Sequence, residues 1–254
     1  MQVWNVPSIS ARYWTAIIFA SMCGANAGDF FSEYMKFGNL NGVPPLLILF
    51  LGVLVLERKS ESPAEAYYWV AIIVLRTMAT NLADYATQTL RLGYPFTELG
   101  LSLLLVITVS IDGFRRTRTD TSQVAGGIPQ TNSMYWVSML IAGTLGTASG
   151  DYMQGHAGFA LGSGLGSVVT VLAFLCVLTV SLKLGGMSKP RYWATIVAAR
   201  TAGTDLGDFL AGHNGLKLGL PVSLTCTSLL LTTFLIVWKS KPDNIKRPIQ
   251  FTGD

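Results

Sequence analysis

Charged residues are scarce: Asp, Glu, Lys and Arg make up 13% of the 254 residues, against 50% hydrophobic ones. A soluble domain ordinarily carries about twice that charge. The deficit excludes a well-solvated globular surface and points to an integral membrane protein. Cysteine is rare too. Cys23, Cys176 and Cys226 lie dispersed in apolar runs with no Cys-x-x-Cys spacing, which argues against a disulfide scaffold or a thiolate zinc site. Histidine occurs twice, at His156 and His213. No phosphate-binding loop, Gly-x-Ser-x-Gly elbow or His-Glu-x-x-His motif is present, and Gly162–Gly166 reads as a helix-packing stretch, so we expect no enzyme. A cleavable leader is not expected either, because the first apolar run begins after Arg12 and soon meets Asp29.

What is abundant is long apolar sequence. Segments of bilayer-crossing length, roughly 17–25 residues, fall at 12–35, 42–57, 65–90, 95–112, 133–155, 160–182, 191–212 and 220–238. Of the 18 Lys and Arg, thirteen lie at one set of ends, only Lys36, Arg91 and Lys217 lie at the other, and Arg76 and Arg200 fall inside spans. That bias predicts a multi-pass protein of the bacterial inner membrane with both termini cytoplasmic. The net charge of +4 is then a topology signal and not a nucleic-acid footprint. The polar stretch 113–132 reads as a cytoplasmic linker between halves 1–112 and 133–254 of a single transmembrane domain.

The spans repeat. A Tyr-Trp pair occurs at Tyr13, Tyr68, Tyr135 and Tyr192, and sixteen residues after each Tyr stands an aspartate: Asp29, Asp84, Asp151 and Asp208. An aromatic follows every one of them. The predicted fold is therefore all-α: eight transmembrane helices arranged as four parallel two-helix repeats. Ahead of each Asp runs a small-xxx-small pair, Gly24/Gly28, Ala79/Ala83, Gly146/Gly150 and Gly203/Gly207. Such pairs let backbones approach in lipid, so the odd helices are expected to form an inner bundle with the even ones around it. Tyr-Trp reads as an interfacial aromatic belt. At 1.5 Å per residue the aspartates lie roughly 24 Å above it. Eight residues before the Asp, repeats 2 and 4 carry Arg76 and Arg200 where repeats 1 and 3 have Ser21 and Gly143, which predicts pseudo-two-fold symmetry between the halves.

The pattern Tyr-Trp…Thr-x-Gly-Thr-x-x-Gly-Asp-aromatic, clearest at 135–152 and 192–209, resembles a bacterial family of uncharacterised membrane-anchored proteins built from repeats of unknown function. The resemblance covers residues 12–238. Repeat 1 departs from it by Met22 where the others have Thr77, Thr144 and Thr201, and repeat 2 by Ala79 and Ala83 for glycine. It implies a repeated helical membrane fold and carries no activity.

Function must come from the charges. Five intramembrane carboxylates, Asp29, Asp84, Asp151, Asp205 and Asp208, face two guanidiniums, Arg76 and Arg200. Ionised groups at this depth pair or line a polar path. One reading makes each Arg a pin for two aspartates. The other takes the surplus acids as a site for a cation or a proton relay, with Arg76 and Arg200 as counter-charges. Asn26, Asn81 and Asp205, three residues before their Asp, and Thr80, Thr147 and Thr204 add oxygens suited to Na⁺, Mg²⁺, Ca²⁺ or Mn²⁺. His156 and His213, in Gly-His-x-Gly at the outer mouth, read as repeat-inherited loop residues, as a metal entry site with Asp151 and Asp208, or as haem ligands. Haem is disfavoured, because glycine-flanked helix ends hold ligands loosely. The expected partners are the bilayer and a small cation or proton, with no nucleic acid. The expected function is a secondary carrier with an acidic layer for a cation such as Mn²⁺ or for protons. A cation channel with a carboxylate ring, a metal- or haem-binding redox protein, and a structural membrane protein stay open as alternatives.

Overall fold

The computed structural model describes residues 7–60, 65–119, 131–155, 158–184, 187–212 and 215–238, with their side chains except at 115–119. These residues form eight α-helices and no strands. They are α1 (Ala11–Asp29), α2 (Val43–Lys59), α3 (Glu65–Asp84), α4 (Tyr94–Thr119), α5 (Ser133–Gln154), α6 (Gly162–Lys183), α7 (Lys189–Ala211) and α8 (Leu220–Val237). After α1 and α3 the chain continues in one wider π-type turn, Phe30–Tyr34 and Tyr85–Thr89. Prolines sit in the first turns of α2, α7 and α8, where their missing N–H leaves no helical bond unmade. Asn132 caps α5 by accepting from the Tyr135 N–H at 2.8 Å. Helix α4 runs to Thr119, seven residues into the expected linker, because nothing from Gly113 to Thr119 breaks a helix. Residues 120–130 of that linker lie outside the described residues.

Helices α1, α3, α5 and α7 form a closed ring in that order, each packing on two neighbours. The outer helices buttress it in a shifted register: α2 packs on α3, α4 on α5, α6 on α7, and α8 returns to α1. Each repeat thus lends its second helix to the next repeat, and the last closes onto the first. The ring is tight because the small-residue stripe of one odd helix receives the body of another. A Cβ added at Gly24 would stand 2.6 Å from the Arg76 Cβ, and one at Gly28 2.6 Å from the Thr80 Cβ. Gly146 meets Arg200 and the Thr201 nitrogen in the same way, and Gly203 meets Ser21 and the Ile18 carbonyl.

Outside the ring, α2, α4, α6 and α8 present apolar side chains outward, with Phe96 76% and Val106 63% exposed. Three described helices have the length and apolarity to cross a membrane, at Tyr94–Phe114, Gly162–Lys183 and Leu220–Val237. Helix α2 misses by length, at 17 residues. The odd helices carry their polar groups inside the ring.

The close approach makes a paired prediction. Gly24→Ala should lower stability by about 1–3 kcal/mol through overpacking. Gly52→Ala on α2, where an added Cβ has no neighbour within 4 Å, should be neutral or stabilising by up to about 1 kcal/mol. Melting curves of the detergent-purified variants check this, and equal melting temperatures would contradict the packing.

Candidate functional site

Counting in fours from each tyrosine of the ring gives a stack of layers along the bundle, since i, i+4 positions form one ridge of a helix. The first layer is a closed circuit of hydroxyls. Tyr13 bonds Tyr68 (3.0 Å) and Tyr192 (2.7 Å), and Tyr135 bonds Tyr68 (2.7 Å) and Tyr192 (3.0 Å). Four hydroxyls in four bonds can each donate once and accept once, an arrangement that polarises around the ring. Each tryptophan packs against the tyrosine of the neighbouring repeat, with ring centres 5.7–6.0 Å apart. All eight aromatics are buried. The Tyr-Trp pairs are therefore a plug inside the bundle and not an interfacial belt. A belt tyrosine needs water for its hydroxyl, whereas here two sister hydroxyls replace it.

Above the plug lies an apolar layer of Ile17, Ile72, Met139 and Ile196, all buried. Next come Arg76 and Arg200, on opposite corners of the ring, with Ser21 and Gly143 between them. The two guanidiniums turn opposite ways, as like charges at one level should. Arg76 donates to the hydroxyls of Thr80 (2.9 Å), Thr147 (2.6 Å) and Thr204 in the following layer. Arg200 donates to Ser21 Oγ (3.2 Å) and Met139 Sδ (3.3 Å). Neither forms an ion pair with a described residue. The threonines, expected as cation ligands, instead accept from Arg76 and donate to carbonyls one turn back in their own helices.

The last layer is Asp29, Asp84, Asp151 and Asp208, which the structure does bring together. Asp29 feels the charges of the other three, and Asp151 those of Asp84 and Asp208. Asp84 is buried and accepts from the Gln88 amide at 3.2 Å, while the other three are half-buried. The aspartate end of the axis is thus less enclosed than the tyrosine end, where every layer residue is buried.

The residues three before each Asp do not join this layer. Asn26 donates to Ser223 of α8 at 2.7 Å, and Asn81 lies against Gly42 ahead of α2. Asp205 is buried, accepting from Thr170 of α6 (2.9 Å) and from the Gln154 amide (2.7 Å). Three residues turn a helix by 300°, a 60° offset, which in so tight a ring moves a side chain from the axis to the seam with the outer helix. Only Asp205 keeps a link to the layer, since the Gln154 amide also donates to Asp208 at 2.9 Å. Gln154, Thr170 and Ser223 carry no motif in the sequence, and only the packing reveals them. His156 and His213 lie outside the described residues. Among the described residues no group of three or more His, Cys, Asp or Glu is close enough to hold a metal ion directly.

Matches to the family described as Repeat of Unknown Function (DUF347) fall at residues 12–62, 67–117 and 191–241, together more than half of the chain. The chain belongs to that family. Each DUF347 match begins one residue before a ring tyrosine and contains its aspartate, so the family unit is one inner helix with its outer partner. The remaining copy, α5 and α6, lies between the matched segments, yet it supplies Tyr135 and Asp151 to the same layers. No curated protein and no solved structure matches the chain.

The hydroxyl circuit predicts that Tyr192→Phe, which deprives two buried neighbours of a partner, lowers stability by about 1–3 kcal/mol. Tyr34→Phe, at a 58% exposed position, should leave the melting temperature unchanged. The difference between the two is the test.

Proposed function

We propose that this chain is a secondary carrier of the bacterial inner membrane whose acidic layer takes up a cation or exchanges protons. In this reading all eight helices cross the bilayer, with the tyrosine ends and both termini in the cytoplasm, as the basic residues favour. The observation that carries the proposal is the pairing of four aspartates at the wet end of one axis with a dry plug at the other. A site open to one side and sealed to the other is what alternating access requires. The same plug disfavours a continuously open pore, since the tyrosine circuit and the Ile/Met layer leave the axis filled with side chains.

The spacing of the carboxyls also shapes the ligand. Without three close ligands, a divalent ion such as Mn²⁺ would be held through its own water, as Mg²⁺ commonly is, or after the ring tightens. Protons need no such cage. Gln154, bridging Asp205 and Asp208, ties the acid peculiar to repeat 4 to the layer and makes α7 the most acidic corner.

Purified protein in proteoliposomes tests the proposal. Under an imposed ion or pH gradient, Asp208→Asn and Asp84→Asn should each cut cation-dependent flux about tenfold or more, the size of one lost charge-assisted contact. Both substitutions preserve shape, and melting curves confirm folding. Unchanged flux in both variants overturns the carrier, and unitary currents from wild-type protein would favour the channel.

A further inference from the structure

Arg76 and Arg200 each show only 1% of their surface, and a guanidinium keeps its proton inside proteins. Two positive charges are therefore held in the dry part of the bundle. An uncompensated buried charge is among the costliest features a fold can carry. The groups that touch them do not compensate. Ser21, Thr80, Thr147 and Thr204 are neutral, and their protons are already committed to helix carbonyls. They orient the guanidiniums without balancing them. Carboxylates help one arginine more than the other: Arg76 lies in the field of Asp29, Asp151 and Asp208. Arg200 is dominated by its burial and lies nearest the four tyrosines, whose hydroxyls are occupied with one another.

Each guanidinium also keeps its Nε–H unused. The buried Nε–H of Arg76 and that of Arg200 have no acceptor, although buried N–H groups are almost always paired. The two charges are near enough to act on each other. The same layer holds Ser21 and Gly143, which bring no charge and no long side chain beside the guanidiniums. We infer that Arg76 and Arg200 together bind one small monovalent anion, a halide, nitrate or short carboxylate, which accepts the free Nε–H of each guanidinium.

The site sits deeper on the axis than the acidic layer, on the path from the wet end to the plug. An anion arriving from that end passes four carboxyls. Their repulsion falls when the layer holds a proton or cation, so the layer gates the deeper site by charge alone. This gating rests on the carrier reading, whereas the anion site does not: binding is measured without any flux.

The experiment uses the full chain, purified in detergent in sodium gluconate, a bulky and weakly coordinating anion. Chloride, nitrate or acetate then replaces gluconate at constant sodium, pH and ionic strength. Wild-type protein should show a saturable rise in melting temperature with at least one of them, on the order of 5 °C at about a hundredfold excess over half-saturation. Arg200→Gln should abolish the rise and Lys36→Gln, at an exposed loop, should keep it. If Arg200→Gln does not fold, Arg76→Gln serves the same purpose. Identical melting of the wild type in all four anions overturns the inference, as does an undiminished shift in the arginine variant.

Discussion

The backbones of α1, α3, α5 and α7 meet at glycines and alanines, where no side chain holds them apart. In a bilayer there is no hydrophobic force to drive helices together, so such close fits and the polar contacts they permit supply the cohesion. Here the fit has a second effect. With the helices this close, every fourth residue is pressed toward a common axis, and whatever chemistry stands at that register is concentrated fourfold. The tyrosine circuit, the arginine pair, the threonine layer and the aspartates all owe their proximity to the same glycine contacts.

The axis that results is polarised along its length. Its tyrosine end is dry and neutral, with hydroxyls satisfied by one another. Two positive charges stand in its middle, and its far end is acidic and half-buried. Arg76 reaches toward the acids through the threonines, while Arg200 turns back to Ser21 and Met139. Direct ion pairs would have locked the two layers together. Hydroxyl contacts instead leave the charges coupled through space, which suits a column that must change its loading. Rigid pairing holds elsewhere, at the tyrosine end of the bundle, where Arg12 binds Glu65 and Trp69 donates to the same carboxylate.

Much of this is legible in the residues alone. Sixteen positions from tyrosine to aspartate, four times without a gap, define the repeat, and the observed helices follow the expected spans to within a few residues except at the end of α4. The inner and outer rings follow from where the small residues and the charges fall. What the sequence hides is orientation. An aromatic pair near a helix end looks the same whether it faces lipid headgroups or its own copies, and only the four-residue step from Tyr to Asp hints that both lie on one ridge. The step of three from Asn26, Asn81 and Asp205 to the aspartates suggests a shared face, but the tight ring divides that face between axis and seam. The loops carry a further asymmetry. Residues with positive φ recur at Lys36, Arg91, Ala160 and Lys217, seven residues after the Asp in repeats 1 and 2 and nine in repeats 3 and 4. Loop length thus groups the repeats as neighbours, whereas the arginines group them as alternates.

Cysteine accessibility reads out whether the axis is open at the aspartates and sealed at the tyrosines. In a background with Cys23, Cys176 and Cys226 replaced by alanine, Asp208→Cys and Ile196→Cys are each exposed in intact cells to a membrane-impermeant thiol reagent. Rapid labelling at position 208 from the outside and protection at position 196 are expected. Equal labelling at the two positions, or labelling of 208 only from the cytoplasmic side, would contradict it.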